Sequence, residues 1–81
     1  MKTVFAVYCG DPWLSYSSLD LIGVCSTRNK AIKMVKDHAI RFDYGKITKD
    51  DLFCLKSHNQ TQGRDYNYMI CEGRMNVLGE F

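Results

Sequence analysis

The side chains best suited to chemistry in this 81-residue sequence are four cysteines and two histidines. Both residue types bind zinc, and a cysteine beside a histidine can act as a nucleophile. No two cysteines form a Cys-x-x-Cys pair, the spacing typical of small zinc sites. The candidates are scattered singly along the chain: Cys9, Cys25, His38, Cys54, His58 and Cys71. We therefore predict no metal site, no catalytic residue and no cofactor, and we expect that the protein is not an enzyme.

The N-terminal apolar run, residues 3–9, is interrupted by Gly10, Asp11 and Pro12. It is too short for the hydrophobic region of a secretory signal or for a membrane span. We therefore expect a cytoplasmic protein without membrane contact, whose thiols are reduced and mostly buried.

The charge balance argues against a protein devoted to binding phosphates. Eleven basic and nine acidic side chains leave a net charge of only +2. The basic side chains nevertheless gather on one predicted helix and are candidate contacts to nucleic acid or a small anion: Arg28, Lys30, Lys33, Lys36 and Arg41. The anion would lie at the start of that helix, near Ser26 and Thr27. Lysines on a helix surface also serve solubility alone, and all three interpretations stay open.

The first half of the chain predicts two strands and a helix. Residues 2–9 are apolar on both strand faces, which favours a central strand. Residues 19–26 predict a second strand, and Thr27 is a good N-cap for an amphipathic helix over residues 28–42. If the strands form a simple hairpin, Phe5 lies opposite Gly23, and Val7 opposite Leu21.

The second half predicts two further strands at its end. Residues 48–51 resemble a capping box, which indicates a short helical turn, and we favour a strand over residues 53–56. Residues 57–65 are polar and predict a loop, followed by strands over 66–72 and 75–80. The whole chain, residues 1–81, is then a single α+β domain: a two-layer β-β-α-β-β-type fold with a mainly antiparallel sheet and one amphipathic helix packed on one face.

Three large apolar side chains, Trp13, Leu14 and Tyr16, lie in a loop otherwise rich in serine, residues 10–18. One interpretation is that they fold back and close the open end of the core. The other is that they form a patch that contacts a partner, because Trp and Tyr are favoured in interfaces.

The strands and the helix start carry a resemblance. Residues 4–8, the Gly-Asp-containing loop, residues 22–27 and Lys30-Ala31 resemble a family of small phage and bacterial domains with the pattern VYVVxxGEYSDxxIxGVFSTxEKA. The likeness covers parts of residues 3–35, with Cys25 in place of Phe, Asn29 in place of Glu and a longer loop. The family has no assigned activity, so the resemblance implies a phage or prophage origin and work in a bacterial cytoplasm.

Together these observations predict a small interaction protein that binds a host protein through Trp13, Leu14 and Tyr16. The alternatives are an accessory protein that binds nucleic acid on the basic helix face, and a binder of small anions at the helix start. A sheet this small with a helix on one face leaves its other face open, so we also expect a homodimer.

Overall fold

A computed structural model describes residues 3–74 of the chain. It is an α+β fold in which a three-stranded antiparallel sheet carries two helices. In chain order the elements are strand β1 (Thr3–Gly10), a 3-10 turn (Tyr16–Ser18), strand β2 (Asp20–Cys25), helix α1 (Arg28–Arg41), helix α2 (Lys49–His58) and strand β3 (Asn67–Arg74).

The sheet has the strand order β2-β1-β3, which confirms that β1 is the central strand. The predicted hairpin register is wrong. Val7 lies opposite Gly23 and Phe5 opposite Cys25, and the pairing shifts between Val7 and Tyr8. The simple hairpin would place Cys9 opposite Leu19, but Cys9 lies opposite Asp20, and the bulge then adds a second residue to the offset.

Gly23 makes room for the helix and not for Phe5. A Cβ atom on Gly23 would lie 2.9 Å from both Sδ and Cε of Met34, so the bare backbone of Gly23 makes room for the end of the Met34 side chain of α1. The Phe5 ring instead lies 5.9 Å from the Arg28 guanidinium carbon, a cation–π contact at the start of the helix.

Helix α1 forms as the sequence indicates, and its predicted bounds are confirmed to within one residue. Thr27 is extended, and its hydroxyl accepts a hydrogen bond from the Lys30 backbone N–H at 3.2 Å. The apolar face lies on the sheet and buries four residues: Ala31, Ile32, Val35 and Ala39. The lysines lie on the opposite, exposed face.

The strand predicted over residues 53–56 is wrong, because these residues belong to α2. The capping box is present in full: Thr48 accepts from the Asp51 N–H, and the Asp51 carboxylate accepts from the Thr48 N–H. The helix it begins continues to Asn59, which has a left-handed conformation with φ 62°. Leu55 is buried while Phe53 is exposed, as on a helix with one face against the core.

The core lies between one face of the sheet and the helices. The core contains the buried residues of α1, together with Ile47 of the loop before α2 and Leu55 of α2. The sheet contributes Val7, Cys9, Tyr68 and Ile70. Strand β3 continues to Arg74, so the strand predicted over 66–72 ends two residues too early. The last predicted strand, 75–80, lies outside the described residues.

The other face of the sheet is apolar and partly open. Its outer strand presents Leu21 and Val24, which are 57% and 48% exposed. Neither helix within residues 3–74 has the length and hydrophobicity needed to cross a bilayer.

Candidate functional site

The loop that carries the three predicted contact residues is held by a local network centred on Asp11. We call residues 10–18 the aromatic loop. The Asp11 carboxylate accepts backbone N–H bonds from Trp13 at 3.0 Å and from Ser15 at 3.1 Å, and it also accepts from the Ser15 hydroxyl. These bonds, with that of the Ser15 hydroxyl foremost, lower the pKa of Asp11, so the carboxylate stays charged at neutral pH.

Two further features fix the shape of the aromatic loop. The Ser18 hydroxyl accepts from the Asp11 N–H at 3.0 Å and donates to the Ser15 carbonyl at 2.7 Å. Leu14 has φ 52°, a left-handed conformation that is rare and costly for a bulky residue. The surrounding hydrogen bonds hold Leu14 in it, and such local strain is typical of functional loops.

The loop is also tied to the sheet by a buried polar pair. The Asn67 side-chain amide donates to the Pro12 carbonyl at 2.8 Å, and its oxygen accepts from the Thr61 hydroxyl at 2.9 Å. Asn67 and Thr61 are both buried, so the bond between them forms away from water, whereas the bond to the exposed Pro12 is partly buried. The sequence offered no signal for this link, because its partners are 55 residues apart.

The three predicted contact residues point in different directions. Trp13 and Tyr16 are 82% and 95% exposed, so the interpretation that they close the core is wrong. Leu14 is half-buried, and its Cδ2 lies 3.4 Å from the place where a Cβ on Gly10 would be. Leu14 therefore packs beneath the loop, while Trp13 and Tyr16 present their rings to solvent.

A cavity of about 390 Å³ lies beside the aromatic loop, lined by Asp11, Ser18 and Asp20 on one side and by aromatic rings on the other. Tyr44 and Tyr66 are stacked, with ring centroids 4.1 Å apart. This end of the molecule is therefore rich in rings held in fixed positions.

His38 lines this cavity and belongs to a packed polar chain. Its Nδ1 lies 2.8 Å from the Tyr68 hydroxyl, which also interacts with the Cys9 thiol. Burial raises the pKa of the Cys9 thiol, and burial together with the Arg41 charge lowers the pKa of His38. A nucleophilic cysteine needs the opposite shift, since the thiolate is the reactive form.

The predicted basic contacts separate into two groups. Lys30, Lys33, Lys36 and Arg41 are exposed on α1, whereas Arg28 is half-buried over Phe5.

At the start of α1, Thr27 caps the backbone, and the Lys30 ammonium lies 3.4 Å from the Ser26 hydroxyl. The binding of nucleic acid or of a small anion by these residues stays a prediction.

The cysteines are all unpaired thiols in residues 3–74, but they are not mostly buried as predicted. Cys9 is buried, Cys25 and Cys54 are half-buried and Cys71 is exposed. Within the same residues, His, Cys, Asp and Glu side chains do not gather in groups of three that could hold a metal ion.

Arg64, a residue that the sequence analysis did not single out, organises the ends of both helices. Its guanidinium forms an ion pair with the Asp51 carboxylate at 2.8 Å and donates to the carbonyls of Tyr44, Gly45 and Lys46. The loop between α1 and α2 closes around Arg64, whose bond to the Tyr44 carbonyl helps to position Tyr44 and its stacked partner Tyr66.

Comparison with known proteins returned no match to a family model, to a curated protein or to a solved structure. The family resemblance of residues 3–35 therefore stays a prediction.

Proposed function

We propose that this protein is a small non-enzymatic interaction protein that binds another protein through the aromatic loop. The observation that carries the proposal is the exposure of Trp13 and Tyr16 on a loop that hydrogen bonds hold in one shape. Exposing two large rings to water is unfavourable unless a partner covers them.

The rigidity of the loop matters as much as its composition. Binding costs free energy for every side chain and loop that must be ordered, and a loop already fixed by Asp11 and Asn67 avoids much of that cost. Trp and Tyr rings add large contact areas with few rotatable bonds. Leu14 supports the loop from below, so its own contribution to the partner is indirect.

The family resemblance adds an expectation about the partner. It favours a phage-encoded protein that acts on a protein of its bacterial host, in the cytoplasm. Homodimerisation through the open sheet face that contains Leu21 and Val24 is compatible with this function, because the aromatic loop extends from the end of the sheet that holds Gly10.

The test compares the natural protein with Trp13→Ala and Tyr16→Ala in affinity capture from bacterial lysate, read by mass spectrometry. A true partner is captured by the natural protein and lost with both variants. Titration with that partner should then show a loss of about 30-fold or more for each variant, the effect of an interface hot spot of about 2 kcal/mol.

Phe53→Ala is the matched control, because Phe53 on α2 is also a largely exposed aromatic residue, with 67% of its surface exposed. It should leave capture unchanged, and all three variants should keep the thermal stability of the natural protein to within about 0.5 kcal/mol. If Trp13→Ala and Tyr16→Ala lowered stability strongly while partner affinity stayed the same, the aromatic loop would be a structural element and the proposal would be wrong.

A further inference from the structure

We propose that a groove between α1 and β2 binds an extended peptide rich in acidic and apolar residues, which adds to the sheet as a strand beside β2. The groove has a volume of about 520 Å³. We call it the α1–β2 groove. It shares no residue with the aromatic loop and would be a second binding site, although His38 and Phe42 also line the cavity beside that loop.

The floor of the groove is apolar. Ile22 of β2 and Met34 of α1 are half-buried and lie along it, and Phe42 follows at the far end with 52% of its surface exposed. Such a floor is suited to apolar side chains of a ligand, since water leaves both surfaces when they meet.

The rim of the groove is basic. Lys30, Lys33 and Arg41 are exposed along it, and Asp37 is the single acidic residue in its lining. Within residues 3–74, the one ion pair is that of Arg64 with Asp51, so Lys30, Lys33 and Arg41 form no ion pair in that part of the chain. Asp37 lies four residues from both Lys33 and Arg41, and the three basic side chains still outnumber it. Carboxylates on a ligand would complement this charge.

The dimensions fit a short strand. The lining runs along α1 from Lys30 to Phe42, a length of about 18 Å at 1.5 Å per residue. An extended peptide rises about 3.3 Å per residue, so about five residues would span the groove.

The backbone of β2 supplies the specific interaction. In the sheet formed by residues 3–74, β2 is an outer strand, paired with β1 on one side. An outer strand directs backbone N–H and C=O groups sideways, and an extended peptide can pair with them while its side chains enter the adjoining groove. A nucleic acid would use the basic rim but neither the strand edge nor the apolar floor, so the structure favours the peptide.

The test uses two pooled libraries of fluorescent heptapeptides. One library is built only from Asp, Glu, Val, Leu and Phe, and the other replaces the acids with Lys and Arg. Fluorescence anisotropy should detect binding of the acidic library with dissociation constants below about 1 mM, the range of weak peptide sites, and at least tenfold weaker binding of the basic library.

Charge reversal at the rim provides the matched variants. Lys33→Glu combined with Arg41→Glu should weaken the best acidic peptide by about tenfold or more, whereas Lys36→Glu should change its affinity by less than about threefold. Lys36 is exposed on the same helix and does not line the groove. Circular dichroism checks that each variant keeps its helices, and Trp13→Ala should bind the peptide as the natural protein does.

Amide NMR decides the mode of binding. The peptide should shift the backbone signals of residues 21–25 and slow their hydrogen exchange, since new hydrogen bonds form along β2. Failure of the acidic library to bind, or equal binding of both libraries, would overturn the proposal. A competition with a thymidine oligonucleotide gives a third result that would overturn the proposal. In that result the acidic peptide displaces the oligonucleotide, and Lys36→Glu weakens oligonucleotide binding as much as the rim variants do. The helix would then attract any polyanion.

Discussion

Replacing Arg64 tests whether one buried cation holds the two helix ends together. Its guanidinium lies 2.8 Å from the Asp51 carboxylate, and the two side chains are only 12% and 11% exposed. Arg64→Ala would remove the cation and the donor shared by three carbonyls of the loop between α1 and α2. Because Asp51 also caps α2, the substitution should loosen the start of that helix.

The expected loss of unfolding free energy depends on the groups that Arg64→Ala leaves without a partner. Removing one partner of a buried ion pair typically costs about 3–5 kcal/mol, because the remaining charge is buried without compensation. The Thr48 N–H continues to donate to the Asp51 carboxylate at 2.9 Å, and the carbonyls of Gly45 and Lys46 are in exposed residues that water can reach. We therefore expect the lower end of this range, about 3 kcal/mol.

Urea unfolding followed by circular dichroism measures this difference directly. In a thermal melt, the loss should appear as a decrease of roughly 12 °C or more, at about 4–8 °C per kcal/mol for a domain of this size. Arg64→Lys should be intermediate, since an ammonium keeps the charge but cannot bridge carboxylate and carbonyls as the planar guanidinium does.

Arg41→Ala is the control, because Arg41 is an exposed arginine on α1, and it should change stability by no more than about 0.5 kcal/mol. If Arg64→Ala lowered the free energy of unfolding by less than about 1 kcal/mol, Arg64 would not be the residue that holds the two helix ends together. The pair would then behave as a solvent-screened surface ion pair, and the closed loop would depend on other contacts.

Two further predictions concern His38 and the open sheet face. Because the pKa of His38 is lowered below its ordinary 6.5, the unfolded chain binds this proton more tightly. This contribution to stability is present above pH 6.5 and is lost as the pH falls through the lowered pKa of the folded state. The free energy of unfolding in urea should therefore differ less between about pH 7.5 and about pH 5 in His38→Gln than in the natural protein. An equal pH dependence in both proteins would contradict the prediction. Light scattering should give about twice the chain mass of 9.4 kDa, and Val24→Lys, which places a charge on the open face, should restore the single chain. A natural protein that scatters as one chain at micromolar concentration would contradict the dimer.

Local sequence signals predicted the first half of the fold well. The cap at Thr27 and the apolar periodicity of residues 31–39 act within a few positions of each other, and α1 lies where they indicate. The apolar faces of β1 likewise place it at the centre of the sheet.

Two other features of the fold depended on contacts that the sequence does not display. Residues 52–55 form an apolar run too short to distinguish a strand from a helix, and the burial of Leu55 is consistent with the helix. The register of β1 with β2 depends on a bulge that brings Gly23 opposite Val7 and beneath Met34.

Arg64 shows the same limit at the candidate site. Helical spacing groups the basic residues of α1, whereas Arg64 lies in a polar loop where an exposed charge is the simplest expectation. The fold turns it inward because Asp51 and three backbone carbonyls converge there, from positions 13 to 20 residues away.

Residue type and short-range spacing are sufficient to predict the class of fold and the main helix with its cap. They also indicate the aromatic loop as a candidate contact. The exposure of Trp13 and Tyr16, and the packing of Leu14 beneath them, become visible only in the folded structure. The tertiary structure also decided that the basic helix face borders an apolar groove beside an outer strand. The physical reason is that exposure and cavities arise from contacts between distant segments, which no local pattern encodes.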